Sequence, residues 1–190
     1  MIRSQPLFRN HFIAITTASM MILATVLNPA QAQPALPTGV ATSTGTQPDA
    51  KIQSLLDRYP GSVVVSADTI RLAPGVLLTL PTASTVIGPQ AYSCAYEWVC
   101  LYSEANGEGY KLSFYYCGFE DLGRWDFPSG GKWNDKTTSI YNHQTDGTYS
   151  IFYNWNGVNA WDQLFGLTAP RTRNLVGTSN NDKIDGIHVC

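Results

Sequence analysis

The tripeptide Asn134-Asp135-Lys136 returns as Asn181-Asp182-Lys183, 47 residues further along. In both copies the fifth position also carries a side-chain oxygen, Thr138 in the first and Asp185 in the second. Recurrence at that spacing marks a repeated supersecondary unit, which limits the folds open to a chain more than any single motif does. Upstream of each copy lies an aromatic segment: Leu101-Tyr102 to Gly109-Tyr110, and Phe152-Tyr153 to Ala160-Trp161. The order is the same twice: aromatic hairpin, middle strand, acidic loop, last strand. It predicts two stacked Greek keys.

Composition changes near residue 91. Residues 33–90 hold one Tyr and no Trp, whereas nine Tyr and all five Trp come after them, with Gly, Asn and Asp between short apolar runs. No helical period of useful length occurs there, so residues 91–190 are predicted to form an all-β sandwich. The aromatic excess also suits a sugar-binding platform, although in small β-domains aromatics chiefly fill the core. Residues 49–90 read as a small α+β unit. Ile52, Leu55, Leu56 and Tyr59 form one face of a short helix, capped by Asp49 and stopped by Pro60-Gly61. Residues 62–66, 69–72 and 75–80 read as strands, the last two joined at Ala73-Pro74-Gly75. This helix-plus-hairpin unit is too small to be stable alone and is expected to dock on the sandwich of residues 91–190.

The beginning of the sequence has the pattern of a secretory signal over residues 1–32. Arg3, Arg9 and His11 make a basic start, the stretch from Phe12 to Leu27 is mostly apolar, and Ala30-Gln31-Ala32 offers a small-x-small cleavage site. Residues 33–48, rich in Pro, Thr and Gly, read as a flexible linker. Cleavage would remove Arg3 and Arg9, taking the formal net charge from −2 to −4. A nucleic-acid partner needs a basic face, so none is expected. No later segment approaches a membrane span, so the mature chain is expected to be secreted, extracellular and monomeric. The four cysteines, Cys94, Cys100, Cys117 and Cys190, agree with export, because an even count in an exported chain reads as two disulfides. Zinc is disfavoured: there is no C-x-x-C pair, and beyond the signal only His143 and His188 could supply ring nitrogens.

No catalytic constellation stands out. Ser129-Gly130 lacks the G-x-S-x-G context, and the acid pairs Glu104/Glu108 and Glu120/Asp121 read as solvated loop charges rather than a glycosidase dyad. The acidic loops have a different chemistry. Ca²⁺ takes six to eight oxygens from carboxylates, hydroxyls and backbone carbonyls. The hexapeptide 134–139 packs such oxygens into a stretch that favours tight turns. One copy alone reads as an ordinary polar turn; two copies at matching places point to calcium.

Residues 134–139 match the [ND]-[ND]-x-x-[ST]-S calcium signature of βγ-crystallin domains, and residues 181–186 match its first two positions, with Asp185 and Gly186 in place of the hydroxyl residues. The chain therefore resembles that family. The resemblance implies an all-β, double Greek-key sandwich in which each calcium site draws on both loops. Asn134, Asp135, Lys136 (through its carbonyl), Thr138 and Ser139 would supply one set of ligands. Asn181, Asp182, Lys183 and Asp185 would supply the other, with Glu104 near the hairpin.

More specifically, V-C-L-Y-S-E-A-N-G-E-G-Y at 99–110 is similar to the small secreted metalloproteinase inhibitors of actinobacterial type, as are D-R-Y-P-G, V-S-A-D-T-I and G-V-L-L-T-L upstream. That likeness implies two disulfides and inhibition of a secreted protease. In those inhibitors the presented loop carries a Cys-flanked bond between the two motifs, whereas residues 142–150 here contain no Cys. We expect the pairs Cys94–Cys100, closing a tight loop, and Cys117–Cys190, tying the end of the sequence to the first key. For inhibition we expect the segment 118–127, next to Cys117, to present Phe119, Leu122 and Trp125 as apolar anchors; their packing into the core is the alternative. The alternative functions are a cell-wall polysaccharide or glycan-binding module, killer-toxin-like, and a purely structural extracellular domain.

Overall fold

Strand pairing divides the chain into two antiparallel sheets in the computed structural model, which describes residues 50–81 and 92–190. The expected signal segment, the linker and the cap Asp49 lie outside the described residues. Helix α1 (Ala50–Arg58) buries Ile52 and Leu55 and half-buries Leu56, so the apolar stripe is the face that docks. The chain turns away at Gly61, whose φ of 89° suits a residue without Cβ. Just beyond the helix, Tyr59 lies against Trp125 with ring centroids 6.1 Å apart, and its hydroxyl accepts a hydrogen bond from the Asp126 amide. Arg58 and Lys132 both reach the Asp126 carboxylate, at 3.4 and 2.7 Å.

Three short strands come next: β1 (Val63–Val64), β2 (Thr69–Ala73) and β3 (Val76–Thr79). Eight more make the aromatic-rich part. These are β4 (Trp98–Tyr102), β5 (Lys111–Phe114), β6 (Gly118–Asp121), β7 (Ser139–His143), β8 (Tyr149–Trp155), β9 (Trp161–Thr168), β10 (Arg171–Asn174) and β11 (Gly186–Val189). The larger sheet runs β1-β2-β3-β5-β4-β7-β10 and the smaller β6-β11-β8-β9. The hairpin β2–β3 thus extends the first key's sheet, with Val76 opposite Phe114 and Thr79 opposite Lys111. All the described residues belong to one unit, Gly45–Cys190.

The third strand of each key sits in the other key's sheet. β6, which belongs in sequence with β4, β5 and β7, pairs with β11; β10, which belongs with β8, β9 and β11, pairs with β7. This is the βγ-crystallin-like double Greek key expected from the repeat, preceded by the expected helix and hairpin. Alternation along the strands sends one face inward. On β8, Ser150 and Phe152 are buried while Tyr149, Ile151 and Tyr153 face out. The buried cluster is contiguous and includes Leu101, Leu112, Phe114, Trp133, Ile140, Phe152, Ile184 and Ile187. A polar tie crosses it. Asn142 Nδ2 donates to the Leu167 carbonyl (2.8 Å) and to Ser150 Oγ (3.2 Å), and Ser150 in turn donates to Gln144 Oε1 (2.9 Å). Such groups must be paired when buried, and here they are. Both disulfides form as expected, Cys94–Cys100 and Cys117–Cys190.

Candidate metal centre

Two loops that are far apart in sequence share one backbone shape. The second residue of each, Asp135 and Asp182, takes a left-handed φ of 56° and 52°. That conformation costs a side-chain-bearing residue on the order of 1–3 kcal/mol and persists where the surroundings enforce it. The surroundings are the other loop. The Asp135 amide donates to the Ile184 carbonyl (3.3 Å), and the Asp182 amide donates to the Thr137 carbonyl (3.2 Å). Position two of each loop thus donates to position four of its partner, so the loops are crossed by a local two-fold relation.

The side chains obey that relation and then diverge. Thr138 Oγ1 donates to Asp182 Oδ1 across the crossing, at 3.1 Å. The hairpin reaches the same place, because Ser139 Oγ donates to the Glu104 carbonyl (2.6 Å) and accepts from the Gly107 amide (2.9 Å). Asp182 is further held by Asn181 Nδ2 at 2.7 Å. Thr138 and Ser139 thus tie the first loop to Asp182 and to the Glu104 turn.

On the other side Asp185 stands where the first loop has Thr138. Its Oδ2 accepts the Trp155 amide at 2.9 Å, while Oδ1 is buried with no hydrogen-bond partner. Only 5% of Asp185 is exposed. Burial pushes its pKa up and the nearby Asp135 carboxylate adds to the rise, while the Trp155 amide, the Asp135 amide and the Asn134 side chain oppose it. Asn134 Oδ1, Asn181 Oδ1 and Thr137 Oγ1 are also buried without partners. A buried polar oxygen left without a partner is costly. Among the described residues no three His, Cys, Asp or Glu side chains come together, so a cation here must rely on amide, hydroxyl and carbonyl oxygens beside its carboxylates. A hard cation such as Ca²⁺ accepts that mixture.

The structure brings Thr138 to Asp182, which Asn181 flanks, and Asn134 and Asp135 to Asp185, while Ser139 turns to the Glu104 hairpin. The Lys136 ammonium points away, 5.9 Å over the Phe127 ring, and the Lys183 side chain is exposed, so either residue could contribute only its carbonyl. Trp155 escaped the sequence reading because its contribution is a backbone amide, which no side-chain pattern reports.

The segment 118–127 departs from its expected role. It is strand β6 and then a 3₁₀ turn, Leu122–Arg124, capped by the Asp121 carboxylate on the Gly123 amide (2.8 Å). The Leu122 amide is tied to the Asp185 carbonyl, and this turns Leu122 and Trp125 into the core, 0% and 7% exposed. A presented anchor must be accessible, so of the three named residues only Phe119 qualifies.

Neither a family model nor a curated protein matches the chain. One solved structure, described as "Evolution of the eye lens beta-gamma-crystallin domain fold", matches at 21% identity and a TM-score of 0.36, over 54% of this chain and 93% of its own. The double Greek key stands on the strand order itself. Two disulfides and, among the described residues, no helix long and apolar enough to cross a membrane are compatible with an extracellular setting.

Proposed function

We propose that this chain is a calcium-binding module of βγ-crystallin type, with its two half-sites at the crossed loops. The observation that supports it best is the reciprocal crossing, in which the second residue of each loop donates its amide to the carbonyl of the fourth residue of the other. Thr138, Asp182 and the Glu104 and Lys136 carbonyls would hold one ion. Asp135, Asp185 and the Lys183 carbonyl would hold the second, whose positive charge answers the orphaned Asp185 oxygen. No reaction is assigned to the site. Protease inhibition, the finer reading suggested by resemblance, draws no support from the segment 118–127, since Leu122 and Trp125 are committed to the core.

Unaltered protein is expected to melt higher in millimolar calcium than in EDTA. For a Kd on the order of 10⁻⁴ to 10⁻³ M, as in extracellular modules, the gain is about 1–3 kcal/mol. Asp135→Ala and Asp182→Ala should each remove part of it. Equal melting temperatures in EDTA and in excess calcium would refute the proposal.

Asp185→Asn separates the second half-site from the first. A carboxyl whose folded pKa is raised makes its charged form a burden on the native state, so without metal the amide should raise the melting temperature at neutral pH. With calcium present the same change deletes a ligand charge and should lower it. Thermal scans in the two buffers read the sign directly, and a shift of one sign in both would place Asp185 outside the site.

A further inference from the structure

The two keys are built alike, yet the sixth loop position differs, and the difference opens a surface. In the first key Ser139 clamps the Glu104 hairpin. In the second the equivalent residue is Gly186, on β11, and two rings occupy the space a side chain would need. A Cβ there would lie 2.8 Å from Phe119 Cζ and 2.9 Å from Trp161 Cζ3. Phe119 leans in from one edge strand, β6, and Trp161 from the other, β9, to meet with centroids 4.9 Å apart. Tyr153 joins Phe119 at 5.8 Å and Trp155 joins Trp161 at 5.1 Å. The rings meet at 56–68° rather than in stacks, so ring surface is left outward. Phe119 remains 42% exposed and Trp155 37%.

These side chains are on the outer face of the smaller sheet, the core being served by Phe152 and Ile187 on the alternate positions. The hairpin that carries the two Trp is held in shape: Asn156 Oδ1 accepts the amides of Val158, Asn159 and Ala160 at 2.9–3.2 Å. Trp155 is fixed through its amide on Asp185. A contiguous aromatic patch on a rigid face, rimmed by polar groups, marks a binding surface rather than scattered exposure. Its charge defines the occupant. No strand position on this face is Lys or Arg, its one carboxylate is Asp121 opposite Gly186, and the rim offers Gln163 beside Tyr153 and His188 beside Phe119. A polyanion would find no counter-charge here. A neutral sugar has an apolar C–H face to lay on a ring and hydroxyls that pair with amide and imidazole groups.

We propose that the outer face of the second key, centred on Phe119, Tyr153, Trp155 and Trp161, binds a neutral polysaccharide. Retention of full-length protein on microcrystalline cellulose, chitin and insoluble β-1,3-glucan tests this, with polygalacturonate as the charged control and EDTA present throughout. Because metal is withheld, failure of the calcium reading leaves this test intact. Retention is expected on at least one neutral matrix, with Trp155→Ala and Phe119→Ala each weakening apparent affinity about tenfold, or about 1.4 kcal/mol. Tyr96→Ala, at an exposed aromatic outside this face, should leave retention unchanged and thereby control for non-specific stickiness. A cooperative thermal transition followed in the far ultraviolet confirms that each variant is folded. No retention on any neutral matrix, retention on polygalacturonate alone, or equal loss in Tyr96→Ala would each overturn the proposal. A dimer in sedimentation that Trp155→Ala dissolves would overturn it in favour of self-association.

Discussion

A chain begun at Tyr92 is expected to lose cooperative folding rather than yield a smaller, stable pair of Greek keys. Cutting there removes β3, so β5 becomes an edge with an open row of amides and carbonyls. It also takes Ile52, Leu55, Ile70, Leu72, Val76 and Leu78 out of the buried cluster. Full burial of such a side chain contributes about 1.5–3 kcal/mol, while the net stability of a domain is only about 5–15 kcal/mol. The order released from residues 50–81 offsets part of the loss. It does not re-cover Leu112 and Phe114 or replace Tyr59 against Trp125. Thermal unfolding monitored in the near ultraviolet checks this, and a sharp transition from the truncated chain would show that the keys stand alone.

The next largest effect should come from the Cys117–Cys190 bond, whose partners are 73 residues apart. If a cross-link acts mainly by restricting the unfolded chain, a loop of that length contributes about 4 kcal/mol, against about 2 kcal/mol for the tight Cys94–Cys100 loop. The bond also ties the start of β6 to the end of β11, which are neighbours in the smaller sheet. Cys117→Ser with Cys190→Ser should therefore lower the melting temperature by about 8–16 °C at the usual slope for a chain of this size. The Cys94→Ser, Cys100→Ser pair should lower it by roughly half as much. Calorimetry on the two double variants decides the order, and a larger loss from the short loop would reverse this assignment.

Much of this architecture is legible in local pattern. The stripe Ile52-Leu55-Leu56-Tyr59 marked a helix, and the structure spends that stripe on docking. The strands expected at 62–66, 69–72 and 75–80 fall within a residue or two of β1, β2 and β3. The repeat located both acidic loops, and the residues they contribute do meet. What stayed hidden depends on distant partners. Alternation tells which residues of β6 and β10 face inward, but not which sheet each strand joins, since pairing partners leave no local period. Leu122 and Trp125 read as loop anchors because they are apolar residues just past Cys117, with core packing as the alternative; a carbonyl from Asp185, over sixty residues away, helps turn them in. Gly186 looked like a damaged motif position, and only the two rings above it explain the absent side chain.

β11 is the last strand in chain order and the middle of the smaller sheet, flanked by β6 and β8. A ribosome delivers residues in one direction, so β6 and β8 emerge well before the strand that will join them. During that interval the edges of β6 and β8 that β11 will join have no partner, the condition in which nascent chains aggregate. The smaller sheet can therefore close only after synthesis has passed residue 189.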